Sequence, residues 1–353
     1  MKLENLGYTE KFIIGLDLSQ NDLKTARVIT VNKESYIISN GEKEFFAKLT
    51  GNMLYSAESP EDFPTVGDFV LFQNFEDDSL AIIHKVLPRN TLLKRKSAGK
   101  KVDYQLIAAN VDFAIIIQAL DNDFNPKRLE RYLAMTNEFG VEPIILFSKS
   151  DLITKEEKLK IFETINSNFH KYQILSFSNF DKESLISLKQ LFVSKKTYCL
   201  IGSSGVGKTT LLNNLIGNEE FKVNEVREKD SKGKHTTTNR QLTILENGAM
   251  IIDTPGMREL GNISITEGLD KTFDEIADLA TNCKFTDCTH TVEKGCAVIE
   301  ALENGELDNE RYGNFIKLKK ESAYYERTYL EKRKKDKEFG KLIKSVLKHN
   351  KRN

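Results

Sequence analysis

Residues 197–217 read TYCLIGSSGVGKTTLLNNLIG, and this stretch predicts a strand, a glycine-rich loop and a helix of an α/β sheet. Its centre, GSSGVGKT at 202–209, matches the pattern Gly, any four residues, Gly-Lys-Ser/Thr without a mismatch. An apolar strand precedes the pattern and a helix-forming run follows it, as phosphate-binding loops require. Glycines let backbone N–H groups turn toward phosphate oxygens, and the helix N-terminus adds a favourable dipole. The stretch therefore predicts a P-loop; a chance Gly/Ser-rich turn is the alternative.

The side chains of this loop have separate expected roles toward a bound nucleotide. Lys208 supplies a point charge to the β- and γ-phosphates, and the Thr209 hydroxyl is a ligand for Mg²⁺. The other expected nucleotide contacts are Gly202, Ser203, Ser204, Gly205, Val206, Gly207 and Thr210.

A second element, DTPG at 253–256, follows the apolar strand AMII about 45 residues after the P-loop. A carboxylate at the end of a strand can hold Mg²⁺ through water, so Asp253 is expected to do this. Gly256 is expected to offer its N–H to the γ-phosphate. Alone, this four-residue pattern is a common turn; its position after a P-loop and an apolar strand makes it informative.

The polar segment KGKHTTT at 232–238 lies between these two elements. A loop there would supply a threonine to Mg²⁺ and the γ-phosphate, and among the three threonines we take Thr237. Met257 stands where Ras-like GTPases place a water-orienting Gln, so slow intrinsic turnover is expected. His235 is then the internal candidate for positioning the attacking water. An ordinary loop and a solvated histidine are the alternatives.

The segment SKSD at 148–151, after the strand PIILF, resembles the Asn-Lys-x-Asp element that reads guanine. Asp151 would accept hydrogen bonds from the guanine N1–H and 2-amino group, which adenine lacks, and the stem of Lys149 would lie along the base. Ser148 replaces Asn and has a shorter reach, so lower nucleotide affinity is expected. Ser176, with Phe177, is the candidate for the loop that closes over the base. Because these elements precede the P-loop, the order is that of a circularly permuted GTPase.

Three regions follow from the pattern of apolar runs. Residues 1–95 carry five short strand-like runs separated by turns and predict an OB-like β-barrel. Residues 96–262 alternate apolar strands with helical stretches and predict a doubly wound, mostly parallel α/β sheet, the GTPase domain. Residues 263–353 are polar and helical and end in a Lys-rich tail. The strand-like runs of the first two regions are ARVITV, ESYIIS, EFFAKL, DFVLFQ, LAIIHKVL, FAIIIQAL, PIILFS, QILSFS, TYCLIG and AMIID.

Three cysteines and one histidine cluster within 14 residues of the C-terminal region. Cys283, Cys288, His290 and Cys296 have the ligand types and spacing of a tetrahedral Zn²⁺ site. Four protein ligands leave no position for water, so the expected site is structural. A disulfide or chance clustering is the alternative. The fourth cysteine of the chain, Cys199, lies in the apolar strand before the P-loop and is expected to be buried.

Composition and charge narrow the class of protein. Hydrophobic residues make up 39% and charged residues 29%, as in ordinary globular chains. No apolar run approaches the roughly 20 residues of a membrane helix, and the first residues lack a signal-peptide pattern, so a cytoplasmic protein is expected. The sequence does not indicate an oligomeric state, and a monomer is taken as the default. The net charge is zero, yet residues 311–353 contain 15 Lys/Arg against 5 Asp/Glu. This tail and a second basic cluster favour a nucleic-acid partner. That cluster comprises Arg89, Lys94, Arg95, Lys96, Lys100 and Lys101.

The order of the motifs, the KGKHTTT segment and the Cys/His cluster resemble the ribosome-small-subunit-dependent GTPase A (RsgA) family of bacteria. The resemblance spans nearly the whole chain and implies an OB domain, a permuted GTPase domain and a C-terminal domain with zinc on the same four residues. It also implies a factor in late maturation of the small ribosomal subunit that binds rRNA and whose GTP hydrolysis that subunit stimulates. Two alternatives are an ATP-dependent enzyme acting on a small molecule and a zinc-containing nucleic-acid-binding regulator with a vestigial P-loop.

Overall fold

The computed structural model describes residues 2–14, 23–75, 80–96, 104–121, 124–217, 240–253 and 264–326. These residues form an N-terminal barrel, a central α/β sheet and a C-terminal helical region. None of the helices in the described ranges combines the length and the apolar composition needed to cross a membrane.

The N-terminal region is a closed barrel of short strands. Its elements are β1 (Lys24–Val31), β2 (Tyr36–Ser39), β3 (Glu44–Leu49), α1 (Gly51–Ser56), β4 (Phe69–Phe75) and β5 (Leu80–Val86). The strands follow the order β1-β2-β3-β5-β4, and β4 pairs back onto β1. β3 and β5 are parallel, and the other neighbours are antiparallel. Val28, Ile38, Phe72 and Ile83 fill the interior. The closed five-stranded barrel confirms the predicted OB-like domain.

A hairpin of β6 (Leu92–Lys96) and β7 (Tyr104–Ala109) precedes the central sheet in the chain and forms a separate two-stranded sheet. The elements of the central region are β8 (Phe113–Ala119), α2 (Pro126–Glu138), β9 (Glu142–Ser148), α3 (Lys155–Phe169), β10 (Gln173–Ser176), α4 (Lys182–Lys189), β11 (Thr197–Gly202), α5 (Lys208–Ile216), β12 (Arg240–Ile244) and β13 (Met250–Asp253). The strand order is β10-β9-β8-β11-β13-β12, in which only β12 runs antiparallel among the described strands.

Apolar side chains of the central strands alternate between two cores. Ala114 and Ile116 of β8 pack with α2 and α3 on one face of the sheet. Ile115 and Ile117 pack with α4 and α5 on the other face. Both faces are covered by helices, which is why these strands appear as continuous apolar runs in the sequence. The doubly wound sheet is therefore confirmed.

Three strands of this region were not predicted. β6 and β7 pair with each other across the expected domain boundary at 95/96. β12 pairs with β13 on one side and with β1 of the barrel on the other, through Thr30 with Gln241 and Val31 with Arg240. The barrel and the central sheet consequently share one hydrogen-bonded sheet of eleven strands within the described residues.

A buried arginine joins the barrel to the central sheet. Arg27 of β1 is 1% exposed, and its guanidinium donates to the carbonyls of Leu6 (2.6 Å) and Gly67 (3.1 Å) and to the Thr197 hydroxyl (2.9 Å). It also lies 5.0 Å from the centre of the Phe69 ring. Burial lowers the pKa of Arg27 to about 10, so the side chain remains charged at neutral pH. Because these partners come from separate segments, this one side chain fixes their relative positions.

The C-terminal helices pack against α2 of the central region. They are α6 (Glu267–Thr272), α7 (Asp274–Ala280), α8 (Ala297–Glu303) and α9 (Asn309–Glu326). Gly268 of α6 lies so close to α2 that a Cβ there would be 1.9 Å from the carbonyl oxygen of Ala134. Arg311 of α9, itself buried, donates to Glu130 of α2 at 3.0 Å and also bonds Glu275 of α7. A close helix contact and a buried ion pair thus hold this region in place.

Candidate nucleotide-binding site and metal centre

The predicted nucleotide-site residues that the structure describes lie at one edge of the central sheet. β8, β9, β10, β11 and β13 are parallel, so their carboxyl ends meet at this edge. Ser148 ends β9, Ser176 ends β10, Gly202 ends β11 and Asp253 ends β13. Ligands of open α/β sheets bind at this edge.

The P-loop connects β11 to α5 in a compact turn. A Cβ at Gly202 would lie 2.4 Å from the carbonyl oxygen of Ile117, so only glycine fits there. Gly207 has a φ of 90° and immediately precedes the first residue of α5. The ammonium of Lys208 donates to the carbonyls of Gly202 (2.7 Å) and Ser203 (2.6 Å) and so lies across the loop. Thr209 and Thr210 occupy the first turn of α5, where backbone N–H groups are available to an anion.

The segment predicted to read guanine, 148–151, contacts the P-loop directly. Ser148 is completely buried, and its hydroxyl donates to the Val206 carbonyl at 2.8 Å. Lys149 has a φ of 58° and places its ammonium 2.8 Å from the Asp121 carboxylate. Asp151 is exposed at the open edge. Ser148 therefore contacts the phosphate loop, while Lys149 pairs with Asp121 and Asp151 is exposed to solvent.

The segment after β10 also reaches the P-loop, through a residue that sequence reasoning missed. Ser176 lies within β10, and the Phe177 side chain is buried in the core beneath α4 and α5. Two positions further on, the amide nitrogen of Asn179 donates to the Gly207 carbonyl at 3.4 Å. Phe180, next in the chain, is 88% exposed. No local pattern marks Asn179, because its role depends on a contact with a residue 28 positions away.

Asp253 occupies the expected position relative to the P-loop. β13 is the direct neighbour of β11, and Asp253 is its last residue. The other predicted contacts to Mg²⁺, the γ-phosphate and the attacking water, Thr237, Gly256 and His235, lie outside the described residues.

The four predicted zinc ligands come together between α7 and α8. Their ligand atoms all lie within 4.8 Å of one another. The Sγ atoms of Cys283 and Cys296 are 3.8 Å apart, and His290 Nδ1 lies 3.6 and 3.5 Å from them. Tetrahedral zinc with Zn–S of about 2.3 Å and Zn–N of about 2.05 Å requires S···S of about 3.8 Å and S···N of about 3.6 Å. The spacing of Cys283, His290 and Cys296 fits a tetrahedral zinc ion, and Cys288, within 4.8 Å of them, completes a donor set of three sulfurs and one nitrogen.

Neighbouring groups fix the shape of this cluster. The Glu293 carboxylate accepts the N–H groups of Thr289 (2.9 Å), Thr291 (3.0 Å) and Val292 (3.0 Å) and also bonds the Thr289 hydroxyl. These bonds hold the pKa of Glu293 far below its usual range. Burial lowers the pKa of His290, which favours the neutral imidazole that binds metals. The ligand loop is thus preorganised.

Two residues of the basic cluster predicted for a polyanion form ion pairs within the protein. Arg89 forms a two-point contact with Asp68 (2.7 and 2.8 Å) and is largely buried. Lys94 bonds Glu61 at 2.7 Å and lies over the Tyr104 ring. A sequence count cannot separate such paired charges from charges that face solvent. Lys100 and Lys101 lie outside the described residues.

A P-loop, a neighbouring strand ending in Asp253 and a base-reading segment earlier in the chain define a circularly permuted P-loop GTPase. The sequence model of the RsgA GTPase family matches residues 86–263. "Small ribosomal subunit biogenesis GTPase RsgA 1" of Bacteroides thetaiotaomicron is 36% identical over 97% of this chain and 96% of its own length. "Small ribosomal subunit biogenesis GTPase RsgA 2" of Listeria monocytogenes is 41% identical over 93% and 91%. The chain belongs to the RsgA GTPase family.

Solved structures agree with the fold. YjeQ from Thermotoga maritima aligns with a TM-score of 0.62 at 24% identity and covers 85% of this chain and 99% of its own. YloQ, described as a circularly permuted GTPase, aligns with a TM-score of 0.61 at 23% identity and covers 89% and 99%. The permuted order predicted from the sequence is therefore confirmed.

Proposed function

We propose that this chain hydrolyses GTP as a factor for late maturation of the small ribosomal subunit, and that the subunit stimulates its turnover. The observation that carries the proposal is the contact between the guanine-reading segment and the P-loop, Ser148 to Val206. This contact brings the expected base-binding and phosphate-binding groups to one edge of the sheet. The names of the two relatives supply the ribosomal context.

The nucleotide would bind with its base against Lys149 and Asp151 and its phosphates along the P-loop. The Lys208 ammonium would leave the carbonyls of Gly202 and Ser203 and donate to phosphate oxygens instead. Phosphate oxygens are stronger acceptors because they are charged. Mg²⁺ held by Thr209 and, through water, by Asp253 would neutralise phosphate charge. Among the residues outside the described ranges, we propose Thr237 as a further Mg²⁺ ligand and His235 as the residue that positions the attacking water.

The other regions would serve binding to the subunit. The barrel would present a strand face to rRNA, and the Lys-rich tail would add salt-dependent phosphate contacts. We propose one structural zinc ion on the cysteine and histidine cluster, domain limits of 1–95, 96–262 and 263–353, and a monomeric state.

The test is GTP turnover by the zinc-loaded chain, titrated with purified small subunits over a range of salt concentrations. We expect stimulation that weakens as salt rises, together with strong preference for GTP over ATP. Turnover that is unaffected by subunits would favour the alternative, a zinc-containing nucleic-acid-binding regulator with a vestigial P-loop. Asp151→Ala serves as the specificity control and should abolish the preference for guanine.

A further inference from the structure

The loop between β10 and α4 is held in a defined shape beside the P-loop. Ser178 is buried, its N–H donates to the Ser184 hydroxyl (3.2 Å), and its own hydroxyl accepts the N–H of Phe180 (3.1 Å). Asp181 then caps α4 by accepting the N–H of Glu183 (3.0 Å). Asn179 sits between these anchors, so its side chain projects from a fixed backbone.

The Asn179 amide bridges α5 and the P-loop. Asn214 of α5 donates from its amide nitrogen to both the backbone carbonyl and the side-chain oxygen of Asn179, each at 3.2 Å. A backbone carbonyl only accepts, so the Asn214 atom in this contact is the nitrogen, and the Asn179 oxygen must face it. The Asn179 nitrogen is thereby directed to the Gly207 carbonyl at 3.4 Å. A Cβ on Gly207 would lie 2.6 Å from that nitrogen, so the two residues pack directly.

Holding a carbonyl of the P-loop also orients the next N–H. In a trans peptide the C=O and the following N–H point in opposite directions, and the described residues contain no cis peptide. The Gly207 carbonyl accepts the Leu211 N–H at 2.9 Å, as the first hydrogen bond of α5, and the Asn179 amide as a second donor. The Lys208 N–H therefore points away from both donors. Ser148 holds the Val206 carbonyl and orients the Gly207 N–H in the same way. N–H groups at this end of a P-loop are the ones that bind phosphate.

We propose that Asn179 is a positioning residue for phosphate binding: as a second donor to the Gly207 carbonyl beside the Leu211 N–H, it restrains the Gly207–Lys208 peptide and so couples the base-side loop to the P-loop. The inference rests on the assignment of Lys208 to nucleotide phosphate in the proposed function. Ser148 and Asn179 hold successive peptides, so both base-side segments contribute to the shape of the phosphate cradle.

The experiment compares GDP with GMP, since GMP lacks the β-phosphate that the end of the loop binds. Affinities are measured by calorimetry on the full zinc-loaded chain for wild type and Asn179→Ala. We expect GDP affinity to fall about threefold, the effect of losing one hydrogen bond between neutral groups. GMP affinity should fall much less. Asn214→Ala frees the Asn179 amide without removing it. This variant should lower GDP affinity by a smaller factor than Asn179→Ala does, again with little effect on GMP affinity.

Asn247→Ala is the matched control. Its side chain also makes two backbone hydrogen bonds, to Phe192 (2.6 Å) and from Ala249 (3.0 Å), near the opposite edge of the sheet. The ratio of GDP to GMP affinity should not change in this variant. Equal losses for GDP and GMP in Asn179→Ala, or no loss, would overturn the proposal. If Lys208→Ala leaves GDP binding intact, the assignment of the nucleotide site has failed instead.

Discussion

The hydrogen bond from the Ser148 hydroxyl to the Val206 carbonyl directly links the segment after β9 to the P-loop. Ser148→Ala would leave the buried Val206 carbonyl without its 2.8 Å partner. An unpaired buried acceptor costs about 1–3 kcal/mol, so we expect lower stability together with GDP affinity reduced several-fold. Thermal unfolding and GDP titration measure the two effects. Ser187→Ala, which removes an exposed hydroxyl bonded within α4, should change neither.

Cys199 differs chemically from the three cysteines of the cluster. It is completely buried in β11, and burial raises the pKa of its thiol to about 12. We expect thiol reagents to leave Cys199 unmodified in the native protein, to reach Cys283, Cys288 and Cys296 after chelation, and to reach all four in denaturant. Mass spectrometry after alkylation reads out each stage.

The same thiol contributes to the pH dependence of stability. Since its folded pKa is raised, the unfolded chain loses this proton first as pH rises from about 8.5 toward 12. The folded state then binds more protons than the unfolded state, so the free energy of unfolding falls in this range. Cys199→Ala should show a shallower decline, and an identical decline in both proteins would contradict the assignment.

Residue roles differed in how far the sequence could predict them. The P-loop was predictable because its pattern is local. The cysteine and histidine cluster was predictable because four residues with metal-ligand side chains fall within a short span. Ser148 was expected at the base, yet it contacts the P-loop backbone 58 positions away. Asn179 and Arg27 act through partners distant in the chain, and nothing in their own neighbourhoods marks them.

At the scale of elements, the contact of α6 with α2 depends on a glycine. Gly268→Ala would place a Cβ 1.9 Å from the Ala134 carbonyl and 2.8 Å from the Glu138 nitrogen, which forces the helices apart. We expect a loss of roughly 1–3 kcal/mol of stability, the range for overpacking of a close contact. Denaturant unfolding is the measurement.

Gly313 offers a matched control in α9. A Cβ there meets nothing within 4 Å, so Gly313→Ala should stabilise the protein by roughly 0.5–1 kcal/mol through helix propensity alone. Similar stabilities for the two variants would contradict the tight packing of α6 on α2.

Elements buried on both faces were the most predictable. The apolar runs at 113–120, 143–148 and 197–202 correspond to β8, β9 and β11. β6, with the sequence LLKRK, and β12, with RQLTI, were missed because charged and polar residues dilute their apolar signal. Their strand conformation depends on the partners that complete their hydrogen bonds, and pairing of this kind is not visible in one segment of sequence.

At the scale of the molecule, the cysteine and histidine cluster is part of a packed region rather than an isolated loop. Cys288 and Cys296 belong to the same apolar core as Phe273, Phe315 and Leu318. Structural zinc sites contribute about 10–16 kcal/mol of binding free energy, which is coupled to folding. We therefore expect chelation to open the 283–303 segment and to weaken the packing of α9.

Hydrogen exchange before and after chelation measures this effect. Protection should be lost in α8 and the ligand loop and retained in β8 and β11, which serve as internal controls. Restoring zinc should restore protection. If chelation leaves exchange in α8 unchanged, the cluster does not hold a structural metal.

The pairing of β12 with β1 has a mechanical consequence for the whole molecule. β12 follows the KGKHTTT segment in the chain and precedes β13, whose end carries Asp253. The barrel is attached to this same strand, through Thr30 with Gln241 and Val31 with Arg240. A displacement of β12 would therefore be transmitted directly to β1, and so to the barrel, through backbone hydrogen bonds and without an intervening linker.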